Sequence, residues 1–206
     1  MTIAPVLSKP REMKKTAQIL RGAMEEFLAR GYAAASMDRV AAAAGVSKAT
    51  VYSHFADKEA LFTTLVETMA RERFQSVRAM LDETMEPRLA IRQLLTIAME
   101  DCCNNEEFHN FKRVLVGESG RFPELAKTFV EHLSKPGVEA IAEYFRSNPA
   151  FNFPDPEAMA RIMIGSVVNF AMLQKMMHGD AIMPMEQARI IDTLEYLLFD
   201  CAPKSP

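Results

Sequence analysis

Residues 36–62 read SMDRVAAAAGVSKATVYSHFADKEALF, from Ser36 to Phe62. Ser36 offers a hydroxyl to the orphan N–H groups of a helix beginning at Met37. Val40, Ala41 and Ala44 share one face at helical spacing. The alanine run Ala41 to Ala44 favours helix and permits close packing. Gly45 stands where a helix commonly ends in a left-handed residue, and Val46 after it can plug the angle between two helices. Ser47 caps a second short helix over about Lys48 to His54, in which Val51 and Phe55 point inward together. Asp57 then caps a third helix, with Phe55 folding back onto Leu61 or Phe62. Two short helices joined by a glycine turn, with a third following, make a helix-turn-helix, which sets a helix N-terminus into a DNA major groove.

The second helix leaves Lys48, Ala49, Thr50, Tyr52, Ser53 and His54 facing outward. Lys48 and Lys58 suit phosphate oxygens. Thr50, Tyr52 and His54 can donate to phosphates or base edges, and Ala49 is small enough to meet a thymine methyl. The free N–H groups behind Ser47 suit a phosphate. No core requirement explains cap, glycine, aromatic and basic positions in this order.

The stretch resembles the TetR family of transcriptional repressors. The resemblance begins at Thr16, Ile19-Leu20, Ala23, Phe27 and Gly31-Tyr32. It runs through Ser36-Met37, Val40-Ala41, Ala44 to Lys48, Thr50 to Tyr52, His54-Phe55 and Lys58-Glu59 to Leu61-Phe62, covering about residues 13 to 66. It implies an all-α protein with about nine helices: a homeodomain-like three-helix DNA-binding domain on a larger ligand-binding and dimerisation domain. The boundary is expected after residue 60, giving domains 1–60 and 61–206, with a flexible arm over 1–12. The resemblance also implies DNA contacts from Ser47, Lys48, Ala49, Thr50, Tyr52, His54 and Lys58, a double-stranded operator as partner, and release by a small-molecule inducer; Ser36, at the start of the preceding helix, is a further candidate DNA contact. Phe108 to Phe145, with Glu118-Ser119-Gly120-Arg121-Phe122-Pro123-Glu124-Leu125, is similar to the AefR-like subgroup.

Charge is divided along the chain. Residues 1–60 hold nine Lys/Arg and six Asp/Glu, a net of +3, whereas the remainder has a net of −6. A basic head and an acidic body suit a protein that meets DNA with one end. The three cysteines form no disulfide framework and point to a reducing cytoplasm. No signal-peptide core and no run of about 18 apolar residues occurs, so neither secretion nor membrane insertion is expected.

Helical periodicity with Pro and Gly stops predicts helices over about 13–30, 58–85, 87–103, 107–117 and 123–134. A break at Pro136-Gly137 is followed by helices to about 147, over 156–178 and over 184–201. In the first of these, Ala17, Leu20, Met24, Phe27 and Leu28 form the expected buried stripe. The helix of Met159 to Met177 is apolar nearly all round and the last helix carries a further stripe. A four-helix homodimer interface is expected from Met159, Val167, Val168, Met172, Ile190, Ile191, Leu194 and Leu198. Two recognition helices then read a pseudo-palindrome. Fifteen methionines and thirteen phenylalanines suit an adaptable apolar cavity. Its expected lining is Met69, Met99, Cys103, Phe108, Phe111, Met163 and Phe170, with Asn110, Glu118 and Asn169 as polar partners.

Two other readings stand beside this one. Cys102, Cys103 and Cys201 would serve a redox-responsive regulator, and the body alone would serve a helical ligand carrier without DNA function. The chain has no phosphate-binding glycine loop, no Gly-x-Ser-x-Gly and no paired metal-ligand spacing among His54, His109, His132 and His178. Neither an enzyme nor a cofactor or metal requirement is expected.

Overall fold

The computed structural model describes residues 10–81 and 85–201. All described regular structure is helical, with no strand among the described residues. The expected arm over 1–12 lies outside the described residues as far as residue 9, and Pro10 already opens the first helix. The elements are α1 (Pro10–Ala34), α2 (Met37–Ala43), α3 (Lys48–His54), α4 (Lys58–Met80) and α5 (Pro87–Asn104). They continue with α6 (Glu106–Glu118), α7 (Pro123–Phe129), α8 (Lys135–Ser147), α9 (Pro156–Ala171) and α10 (Gln187–Phe199).

The break expected at Pro136-Gly137 is absent. The chain passes from α7 through a widened π turn, Val130–Ser134, directly into α8. Proline clashes with the carbonyl four residues back and lacks its own N–H. The wider turn immediately before Pro136 relieves both demands without ending the helix. With α7 and α8 as one rod, the described residues hold nine helices. The next long helix also ends earlier than expected: α9 stops at Ala171 and a π turn carries the chain to Met176.

Two compact units form. The first comprises residues up to Thr68 together with Val114–Thr128, and the second Met69–Arg113 together with Phe129 onward. A linear cut after residue 60 therefore differs from the observed grouping. The reason is that the end of α6 and the start of α7 pack in the first unit, where Phe122 meets Tyr32 at 5.2 Å between ring centres. The core of this unit is built from Ile19, Leu20, Ala23, Met24 and Phe27 of α1. Ala17, expected inside, is exposed. Phe27, Tyr32 and Phe62 form a mutual aromatic cluster at 5.6–5.9 Å.

In the second unit α5, α8, α9 and α10 enclose one core of Ile91, Leu94, Leu95, Met99, Ile141, Phe145, Met163, Val167, Ile191, Leu194 and Leu198. Phe145, Phe151, Phe153 and Phe199 close one end with ring centres 4.8–5.7 Å apart. No helix among the described residues is long and apolar enough to cross a membrane.

Candidate functional site

The turn between α2 and α3 forms as its residues require. Ser36 is extended and its Oγ accepts from Arg39 N at 3.4 Å. Gly45 takes the left-handed φ of 62°. Ser47 Oγ accepts from Thr50 N at 3.1 Å and lies 2.8 Å from Thr50 Oγ1. Val51, fully buried, and Phe55 anchor α3 from beneath. Asp57 Oδ1 accepts from Ala60 N at 2.8 Å and so caps α4.

A buried carboxylate that sequence reasoning missed holds this frame to α1. Glu26 is only 6% exposed. Its Oε1 accepts from Arg39 Nε at 2.5 Å and from Ser36 N at 3.4 Å, and its Oε2 pairs with Arg30 at 3.5 Å. Arg39 also donates to the Ala34 carbonyl. The carboxylate thereby serves the residues that start α2, and a buried acid is tolerated only with such partners. The available signal was Glu26 lying one residue before Phe27 on the apolar face of α1.

On the outer face of α3, Tyr52 is 53% exposed and Ala49 is exposed. Lys48 pairs with Asp38 Oδ2 at 2.5 Å, both side chains being more than half exposed. His54 is half-buried, its Nδ1 3.2 Å from Thr16 Oγ1. Lys58 departs from expectation. Its Nζ turns inward, donating to the carbonyls of Tyr32 at 2.6 Å and Ala35 at 3.1 Å, 4.3 Å from the centre of the Tyr32 ring. Burial pulls its pKa down and Glu118 pushes it up. A cation collecting the last carbonyls of the α1 turn is a helix-end anchor, so Lys58 is withdrawn from phosphate contact.

Glu118, expected as a ligand partner, also belongs to the first unit. Its Oε1 accepts from Ala33 N at 3.1 Å, just beyond Gly31, where α1 kinks with φ 73° and ψ 166°. Met99, Cys103, Met163 and Phe170 are buried in the core of the second unit. Met69, Phe108 and Phe111 are buried as well. Asn169 is exposed, and Asn110 accepts from Arg113 Nη1 at 2.6 Å. Of the expected lining, Phe170 borders a surface cleft of about 370 Å³ shared with Gln174, Lys175, Asp180 and Met185.

The expected dimer set divides. Val167, Ile191, Leu194 and Leu198 are core, and Met159 and Ile190 pack against it. Only Val168 and Met172 of that set face out, joined by Ile162, Tyr196 and Leu197. A helix apolar on most sides gives no phase to say which face its own unit will cover. Burial pushes the Cys103 thiol up to about 11 and raises Cys102 as well, so both stay protonated near neutral pH. Among the described residues no group of three metal-donor side chains converges.

Known proteins share this arrangement. Residues 19–65 match the family model of bacterial regulatory proteins, tetR family. Residues 91–194, half of the chain, match that of the AefR-like transcriptional repressor C-terminal domain. The chain is 29% identical over 153 residues to the HTH-type transcriptional regulator YhgD of Bacillus subtilis (strain 168), covering 71% of this chain and 76% of that one. A TetR-family transcriptional regulator from Mesorhizobium loti MAFF303099 superposes with a TM-score of 0.73 at 25% identity, over 91% of this chain and 94% of that one. The flavonoid-responsive regulator FrrA superposes at 0.68 with 27% identity, over 89% and 92%.

Proposed function

The chain belongs to the TetR family of DNA-binding transcriptional regulators, and from that premise we propose that it is a homodimeric repressor, released from a pseudo-palindromic operator by a small, largely apolar effector. The observation that carries the DNA side is the outer face of α3. Lys48, Ala49 and Tyr52 stand exposed on a helix whose start is capped by Ser47 and whose underside is fixed by Val51. Ser47, Lys48, Ala49, Thr50 and Tyr52 meet the operator, with Ser36 and His54 at the flanks. The exposed ion pair between Lys48 and Asp38 is of the kind that contributes little, so a phosphate can replace Asp38 as the partner of Lys48.

The part of the chain from about residue 61 onward receives the effector and pairs the two copies. The protein works in the cytoplasm, without a cofactor and without enzymatic activity. Similarity to a flavonoid-responsive regulator supports a small effector with a large apolar surface. Effector binding favours a body conformation in which the two heads no longer match the half-site spacing. Cys103, buried, and Cys102, half-buried, both have thiols raised by burial, which speaks against a redox input through this pair.

Capture of sheared genomic DNA by the purified protein tests this reading. An enriched inverted repeat is the expected result, and no enrichment at low salt overturns the assignment. On the captured site, Lys48→Ala is expected to weaken binding evenly across sequences and flatten its salt dependence. Tyr52→Ala is expected to cost about 1–3 kcal/mol and relax specificity at one position. Unchanged affinity in both variants places recognition elsewhere.

A further inference from the structure

Lys112 of α6 belongs to the second unit and is half-buried. Among the described residues it makes no hydrogen bond and no ion pair; its close polar contact is with the Phe108 ring, Nζ standing 4.6 Å from the ring centre. A second cation shares that ring: Arg73 Cζ lies 3.8 Å from the same centre. Arg73 has partners of its own. Its Nε and Nη2 donate to Asp101 at 2.8 and 3.3 Å, and its Nη1 donates to the Met69 carbonyl at 3.1 Å. Asn105 Nδ2 donates to the same carboxylate at 3.0 Å. The acid of the cluster is bonded directly to Arg73 and reaches Lys112 only through space, so Lys112 makes no ion pair of its own.

Long cations often lay their stems on apolar surface with the head in water. That habit does not account for two cations on one ring. An aromatic face is a weaker partner than a carboxylate, and a half-buried ammonium with a like charge beside it is costly. Burial is the main cause that pulls the Lys112 pKa down; the charge of Arg73 adds a smaller pull, while Cys102 and Asp101 push the other way. An anion placed against Lys112 removes that cost through a charge-assisted hydrogen bond.

We infer that the effector carries an anionic head group, held by Lys112 beside Phe108, with its apolar remainder among the buried Met and Phe side chains of the same unit. This rests on the ligand-released reading and narrows it from an apolar effector to an amphiphilic anion. Arg73, already bridged to Asp101, sets the position of Phe108 and adds to the field without giving up its own partner.

The test uses the full-length protein and two probes of one chain length, decanoate and decan-1-ol, titrated calorimetrically below their aggregation limits. The wild type is expected to bind decanoate at least about tenfold more tightly than the alcohol. Lys112→Met should bring decanoate down to the level of the alcohol, leave the alcohol unchanged and raise the thermal midpoint of the unliganded protein. Lys112→Arg should keep the preference. Equal binding of the two probes by the wild type, a preference that survives in Lys112→Met, or no binding of either probe overturns the inference. DNA release, followed separately on a captured genomic fragment, keeps the two readings apart. Decanoate that binds through Lys112 without releasing DNA overturns release and leaves the site standing. Release by the alcohol as readily as by the acid overturns the anionic site and leaves release standing.

Discussion

Gly22 shows how tightly α1 and α2 are set together. A Cβ there would stand 2.6 Å from Ala44 N and 2.8 Å from Ala44 Cβ. Alanine favours helix over glycine by about 1 kcal/mol, but the obstacle is largely backbone and cannot swing away. Gly22→Ala is therefore expected to destabilise the first unit by about 1–3 kcal/mol, because overpacking outweighs propensity. Gly117, in α6, has nothing within 4 Å of its Cβ position. Gly117→Ala is then the control, neutral or slightly stabilising. Thermal unfolding of the two variants by circular dichroism decides it; equal midpoints would mean that α1 and α2 can move apart at no cost. At this scale much of the site was legible. Ser36, Ser47, Asp57 and Gly45 act within three residues of themselves, and each takes the role its type predicts. Lys58 and Glu118 were misread because their partners, the end of the α1 turn in both cases, lie 23–26 and 85 residues away.

Between elements, ion pairs pin α10 to α5. Arg88 reaches Glu195 and Asp200, and Arg92 reaches Glu195 and Asp192, at 2.7–3.1 Å. The Arg92 hydrogen bond, seconded by that of Arg88, holds the Glu195 carboxyl below its usual range. A depressed acid contributes stability that is fully present above the ordinary carboxylate pKa and is lost as pH falls through the lower folded value. The urea midpoint is thus expected to fall as pH drops through and below the ordinary carboxylate range, and Glu195→Gln to flatten that limb. An acid limb identical in the variant would assign the loss to other carboxylates. Helix positions were largely readable from period and stops, since both are local properties. The π turn before Pro136 was not, because a proline inside a helix announces a break whether or not a neighbouring turn widens to absorb it.

For the molecule as a whole, the outward apolar residues of α9 and α10 bear on the proposed pairing. Ile162, Val168, Tyr196 and Leu197 are 41–57% exposed, while Leu194 is 6% exposed. Leu197→Glu combined with Val168→Glu is expected to leave the fold intact and give a monomer in sedimentation. Operator affinity should drop about a hundredfold or more as the second half-site contact is lost. Leu194→Glu, by contrast, should unfold the second unit, since it buries an unpaired charge. A double variant that still sediments as a dimer would move the interface off these helices.

By itself the sequence determined an all-helical chain and a capped short helix after a glycine turn, because period, caps and turn residues act over a few positions and need no distant partner. Only the tertiary structure decided which side chains remain available. It showed Lys48 outside and Lys58 turned in, Val168 exposed and Val167 buried, Glu118 spent on a backbone amide and Lys112 set on the Phe108 ring. Those outcomes depend on which residues from elsewhere in the chain arrive alongside, and no local pattern encodes that.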